Sequence, residues 1–374
     1  MEDVDRVSMA LLGGINTVLA GPRRTGKTTV ADAALAICRR EDAYVAAVDL
    51  FEAPDVASLA HRLTIALLNN RPPLRRAIAD AVHSGRSILE ALRTTATIRL
   101  REDLGADIEV ALEVSFAERD PAGALLAALR LAQTLAGADG RRVVLFFDEF
   151  QDIASRRFGD GETITRQMRG VLQRSTAVSV LFAGSVEHLM RDLFAPSDRA
   201  LSQFGSFHEL APITVEQWTV GLRDRLRLDD TAIRDDALER AIALGEMHPR
   251  ATMLLAQQAH LICIEEVARE IDNAMVIQAL GRALGAERLR HEQQLERIRS
   301  IGRHAERMAV RVAAGDRPLY ADLKPQQASR ALTGLRDAGV IDRVDGHGRW
   351  VLADPLLRIY LASRSPGGRL EGRL

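Results

Sequence analysis

Short apolar, β-prone runs alternate with longer helical stretches through the first half of the chain. Asn16 to Ala20, Tyr44 to Phe51, Arg142 to Phe147, Val178 to Ala183 and Ser206 to Leu210 read as strands bounded by turn residues. Apolar positions at helical spacing over Lys27 to Arg40, Val56 to Asn69, Thr163 to Arg174 and Val186 to Phe194 predict helices between them. Such alternation predicts an α/β core, a parallel sheet wrapped by crossover helices. Residues 71–141 read as an insertion between the second and third strands. It contains helical segments and two alternating runs, Thr97 to Glu102 and Ile108 to Val114, which form a β-hairpin pattern about Gly105.

The β signal stops after Pro212, and Val215 to about Gly302 is helical, with breaks at Gly245, Pro249 and Gly285. The last 70 or so residues change again. Two helical stretches precede Val340 to Val344 and Arg349 to Leu352, which flank the turn Asp345-Gly346-His347-Gly348. Helices followed by a glycine-tipped hairpin describe a winged helix. The expected organisation is a nucleotide-type core over 1–213, a helical lid over 214–301, a winged helix over 302–364 and a flexible tail over 365–374.

Composition narrows the chemistry. A formal charge of −1 excludes a general polycation, and 4% aromatic residues leave few rings for stacking unpaired bases. No run approaches the length of a membrane span, and the acidic start Met1-Glu2-Asp3-Val4-Asp5 is not a secretory signal. The two cysteines, Cys38 and Cys263, have no metal-ligand or disulfide-framework spacing, so a cytoplasmic setting is expected. Of 50 basic residues only Lys27 and Lys324 are lysine.

Lys27 ends a motif. Gly21-Pro22-Arg23-Arg24-Thr25-Gly26-Lys27-Thr28 satisfies G-x-x-x-x-G-K-[ST], between a predicted strand and a predicted helix. A triphosphate needs converging backbone N–H donors, which a glycine-hinged loop opening a helix supplies together with the positive end of the helix dipole. The loop residues through Thr29 are the candidate phosphate contacts. Lys27 would reach the β/γ-phosphates and Thr28 would help to hold Mg²⁺. An otherwise arginine chain keeps lysine where a compact ammonium fits and a guanidinium does not.

Val143 to Phe147 runs into Asp148-Glu149, about 120 residues after the loop. Strand C-termini of a parallel sheet share one edge, so Asp148 would meet Mg²⁺ there and Glu149 would polarise the attacking water. The strand Val178 to Ala183 ends in Gly184-Ser185, where Ser185 would sense the γ-phosphate or position the water.

The loop, the segment Phe146-Phe147-Asp148-Glu149-Phe150-Gln151, Ala183-Gly184-Ser185 with Met190, and Leu352-Ala353-Asp354-Pro355-Leu356-Leu357 together resemble the AAA+-type predicted archaeal and bacterial ATPases. These are related to the signal-transduction ATPases with numerous domains and to origin-recognition ATPases. The resemblance spans nearly the whole chain and implies a nucleotide core, a helical lid and a C-terminal winged helix. It implies ATP and Mg²⁺ as cofactors, and a lid arginine, Arg250 in Gly245-Glu246-Met247-His248-Pro249-Arg250, touching the γ-phosphate. In place of the usual Pro-Leu-Tyr-Gly-Arg run the chain has Arg199-Ala200-Leu201-Ser202-Gln203-Phe204, so Arg199 is the candidate displaced arginine finger of a nucleotide-dependent homo-oligomer.

Gly302 to Leu374 carries 13 basic and 8 acidic residues, a local charge of +5. Pro325 to Ala338 is the expected recognition helix. Lys324 just before it, Gln326, Gln327, Arg330 and Arg336 on it, and Arg343 and Arg349 beside the wing, are residue types that reach bases or phosphates of duplex DNA. Asp337, Asp342 and Asp345 lie close by, and a winged helix that docks a regulatory protein carries the same pattern. Three activities stay open: a Mg²⁺-dependent ATPase switch, a nucleotide-stabilised regulatory protein with little hydrolysis, and a small-molecule kinase, which the acidic pair and winged helix disfavour.

Overall fold

Along Val143–Asp148 the side chains divide with period two: Val143, Leu145 and Phe147 enter one core, Val144 and Phe146 another. A strand buried on both faces belongs inside a parallel sheet covered by two layers of helices. The computed structural model describes residues 2–20, 25–71, 120–315, 323–344 and 349–364. The chain divides after Leu210 into two compact units. No described helix is long and apolar enough to cross a membrane.

The first unit holds β1 (Thr17–Ala20), β2 (Tyr44–Asp49), β3 (Val143–Asp148), β4 (Val178–Gly184) and β5 (Ser206–Glu209), all parallel in the order β2-β3-β4-β1-β5. Helices α1 (Glu2–Leu12) and α2 (Lys27–Arg40) cover one face, where Val7, Leu11, Ala31 and Leu35 pack with Leu19 and Leu181. The other face carries α3 (Val56–Leu68), α4 (Pro121–Asp139), α5 (Gly161–Leu172) and α6 (Glu187–Phe194), around Phe147, Phe182 and Phe194. Asp55, Asp120 and Asp160 cap α3, α4 and α5 by accepting from the backbone N–H three residues on.

Three differences from the sequence pattern have physical causes. The segment 71–141 does not end as an insertion: α4 is a core crossover, with Leu125, Leu129, Leu131 and Leu135 fully buried between α3 and the sheet. The hairpin expected over Thr97 to Val114 lies outside the described residues. Strand β2 stops at Asp49, where the Asp49 carboxylate takes the Phe51 N–H at 2.8 Å and turns the chain. Strands β3 and β4 each run one residue further than their apolar run, so Asp148 and Gly184 are strand residues.

The second unit contains α7 (Val215–Arg227), β6 (Ala232–Ile233), α8 (Asp235–Leu244), α9 (Pro249–Glu265), β7 (Glu270–Ile271) and α10 (Asn273–Ala286) around a core of Trp218, Leu222, Leu238, Ile262 and Val276. A further core is built by α11 (Arg288–Ile301), α12 (Ala305–Ala314), α13 (Pro325–Asp337), the antiparallel pair β8 (Ile341–Val344) and β9 (Arg349–Leu352), and α14 (Pro355–Ala362). The boundary expected at Gly302 moves to between α10 and α11, because α11 buries Leu295 and Ile298 in this last core. Leu255, Leu280, Leu356 and Ile359 join the two cores. The turn 345–348 and the tail from 365 lie outside the described residues.

His291 of α11 is 0% exposed, neither ring nitrogen has a hydrogen-bond partner among the described residues, and the ring lies 5.0 Å from that of Tyr360. Burial holds its pKa below the ordinary histidine value, against the pull of Asp354 and Glu287. An unsatisfied buried polar group costs about 1–3 kcal/mol, so His291→Leu is expected to raise Tm by several degrees at pH 7. On acidification the unfolded chain takes the proton first, so the parent loses stability below about pH 6.5 and the gap to the variant widens. Thermal melts from pH 7.5 to 5.5 check this; a variant melting below its parent throughout would refute it.

Candidate functional site

Parallel strands bring their C-terminal ends to one edge, and the sheet order decides which ends are neighbours. Strand β4 lies between β1 and β3, so the residues following β4 fall between the loop after β1 and the acids ending β3. Gly21, Pro22, Arg23 and Arg24 lie outside the described residues. Gly26 has φ +94°, a conformation that favours glycine, immediately before α2 begins at Lys27. Lys27 is only 6% exposed; Thr25 is half-buried, and Thr28 and Thr29 are exposed.

The Thr28 hydroxyl donates to Asp148 Oδ2 at 3.1 Å across 120 residues of sequence. Two hard oxygen donors at this separation suit Mg²⁺, whose octahedral ligands at 2.0–2.1 Å put adjacent corners about 3 Å apart. Burial pushes the Asp148 carboxyl above its ordinary value; the Glu149 N–H at 2.9 Å opposes this, the Glu149 charge adds to it and the Thr28 hydroxyl opposes it. Asp49, paired in register with Asp148 on β2, is likewise pushed up by burial, with a contribution from Glu149. A cation here would relieve both.

Glu149 follows β3 with φ +48°, a left-handed conformation costly for a residue with this side chain. The turn is fixed by what comes next. The 3₁₀ turn Phe150–Ala154 drives the Phe150 ring between Phe147, Phe182 and Phe194, with the Phe150 and Phe182 centroids 4.6 Å apart. The Glu149 carboxylate then reaches β4: Ser185 Oγ donates to Glu149 Oε2 at 2.6 Å, and Gln151 Nε2 donates to the same oxygen. Ser185 N–H donates to Gln151 Oε1 at 3.2 Å. Thr28, Asp148, Glu149 and Ser185, all proposed from the sequence, are thus linked by hydrogen bonds within the first unit.

Two members were not anticipated as site residues. Gln151 is 4% exposed and bridges Glu149 to Ser185; a glutamine two positions after the acidic pair was its only signal. Asp49, inside the run Tyr44 to Phe51 that reads as a strand, had none.

The remaining candidates lie elsewhere. Arg199 pairs with Glu162 at 3.7 Å. Arg250, at the start of α9, is gripped by both carboxylate oxygens of Glu287 at 2.7 and 2.8 Å, and Glu287 also binds Arg290, which reaches Asp354 at 3.0 Å. That chain of charges links α9, the start of α11 and the cap of α14. On and beside α13, Lys324, Gln326, Arg330 and Arg349 are exposed. Gln327 accepts from the Lys324 N–H to cap its helix, Arg336 is tied to Asp337 at 2.9 Å, and Arg343 stacks 4.7 Å over the Trp350 ring.

No family model matches the chain, and no curated protein matches it. Solved structures do. The Walker-type ATPase of Pyrococcus abyssi superposes with a TM-score of 0.68 at 16% identity, covering 96% of this chain and 94% of its own. The ORC2 protein of Aeropyrum pernix in its ADPNP–ADP complexes gives 0.56 at 15% identity, covering 96% and 91%. The ADP form of ORC2 gives 0.51 at 14% identity, covering 97% and 94%. The likeness runs through both units.

Proposed function

From the premise that the chain has the fold of the AAA+ P-loop ATPases, we propose that it binds ATP with Mg²⁺ at the loop before α2, hydrolyses it, and uses nucleotide state to switch a C-terminal winged helix on duplex DNA. The observation that carries this reading is the Thr28–Asp148 contact beside Glu149. The named relatives support it: one is a Walker-type ATPase, another was solved with ADPNP and ADP.

In this reading the loop amides from Gly21 to Lys27 and the Lys27 ammonium bind the phosphates, and Thr28 and Asp148 hold the cation. Bound Mg²⁺ supplies neutralisation of charge on the β- and γ-phosphates. Glu149 takes the proton of the attacking water, and Ser185 fixes the carboxylate that does so. Arg250 is held by Glu287 and Arg199 by Glu162, so each is available for its proposed role only after releasing that partner.

The winged helix comprises α12, α13, β8, β9 and their flanks. Arg330 and Arg349 are exposed and form no ion pair among the described residues, so they are the proposed phosphate contacts, with Lys324 and Gln326 beside them. Gln327, Arg336 and Arg343 already have partners within the fold, an observation that favours a protein-docking role as the second reading. The test is phosphate release from ATP and Mg²⁺, with and without duplex DNA over a salt series. Stimulation by DNA is expected, and Arg330→Ala or Arg349→Ala should each lower the salt slope by about one. DNA binding indifferent to both variants would move the module to protein docking; nucleotide binding without turnover would leave a nucleotide-stabilised regulator.

A further inference from the structure

We infer that Gln151 is a positioning residue that locks the water-activating carboxylate to the end of β4. Only its consequence for turnover rests on the ATPase reading above; the lock itself does not. A primary amide carries its donor and its acceptor on two separate atoms, so one side chain can donate to one group and accept from another. Gln151 uses both ends: Nε2 donates to Glu149 Oε2, and Oε1 accepts from Ser185 N–H at 3.2 Å. Ser185 closes the ring by donating its hydroxyl to the same Glu149 oxygen at 2.6 Å.

The surroundings are shaped for this amide. Gln151 is 4% exposed, so neither hydrogen bond is readily exchanged for one to bulk water. Phe150, fully buried among Phe147, Phe182 and Phe194, fixes the backbone from which Gln151 projects. On β4 a Cβ at Gly184 would stand 2.5 Å from Gln151 Oε1 and closer still to Met190 Sδ, so glycine there leaves the amide its place. Glu149 Oε2 is taken by these two donors, while Oε1 accepts no hydrogen bond among the described residues, which leaves Oε1 as the oxygen to meet a water. The chain before the carboxylate is in a strained left-handed conformation, and the ring of hydrogen bonds holds the side chain it presents.

The glutamine therefore does two separable things, and two variants separate them. Gln151→Met keeps length and bulk but loses donor and acceptor; Gln151→Glu keeps the acceptor for Ser185 N–H and replaces the donor with a like charge against Glu149. In the nucleotide-free full chain, hydrogen exchange of the Ser185 amide is expected to accelerate in Gln151→Met and to stay slow in Gln151→Glu. Turnover should fall in both, roughly ten- to a hundred-fold in kcat, as for a misplaced catalytic group, with ATP dissociation constants within about two-fold of the parent. In a Glu149→Gln background, adding Gln151→Met should lower turnover no further, whereas a merely structural role would add its effect.

Unchanged Ser185 exchange in Gln151→Met, or additive losses in the double variant, overturns the inference. Should Gln151→Met fail to fold, Gln151→Glu decides alone: slow exchange with lowered kcat supports the lock, and parental kcat overturns it. A parent without turnover overturns the ATPase reading instead, and the exchange measurement then decides the lock by itself.

Discussion

Replacing Glu149 with Gln is expected to leave ATP and Mg²⁺ binding intact and to lower turnover by about 10²- to 10⁴-fold, the usual contribution of a positioned general base. The substitution keeps the shape of the side chain. The Ser185 hydroxyl still has an amide oxygen to donate to, and the groups proposed to bind nucleotide, Lys27, Thr28 and Asp148, are untouched. What is lost is the ability to accept a proton. Removing the charge also has a second sign to check: Glu149 adds to the upward push on the carboxyls of both Asp148 and Asp49, so the ligand-free variant should melt above the parent at neutral pH. Calorimetry with ATP, phosphate release and a thermal melt measure the three effects separately. Parental turnover in the variant would remove Glu149 from the role of base, whatever happened to binding.

Much of the first unit was legible because parallel strands buried on both faces have to be apolar and because strand ends in such sheets share one edge. The pattern of β3 and its two terminal acids therefore located Asp148 and Glu149, and the glycine-lysine motif located the partner loop. What stayed hidden depended on neighbours supplied by distant sequence. Helix α1 buries only Val7, Ser8 and Leu11 among charged residues, a stripe whose meaning depends on β1 and β4 lying beneath it. Gln151 reads as a polar turn residue until Phe150 and Gly184 enclose it. Arg250 was read from the residues before it, yet its partner Glu287 comes 37 residues later, and no local pattern announces that pair. Helix α4 lies within the stretch that reads as an insertion, and only its burial between α3 and the sheet makes it a core crossover.

Lys27→Ala should abolish nucleotide binding while leaving the ligand-free fold stable, and the contrast of these effects is the argument for the site. Lys27 is the first residue of α2 and is 6% exposed, so its ammonium is held out of water at the positive end of a helix dipole. In a chain whose only other lysine is Lys324, a lysine kept at the start of this helix suits an anion bound there. Alanine removes the attraction for the phosphates. The parent at ATP one hundred times its dissociation constant gains about 2.7 kcal/mol, worth several degrees of Tm. That ATP-induced rise should vanish in Lys27→Ala. Lys27→Arg should fail as well, since the planar guanidinium needs room that the ammonium does not. An ATP-induced rise surviving in Lys27→Ala would place the nucleotide elsewhere, and a melt that collapsed without ligand would make Lys27 a structural residue.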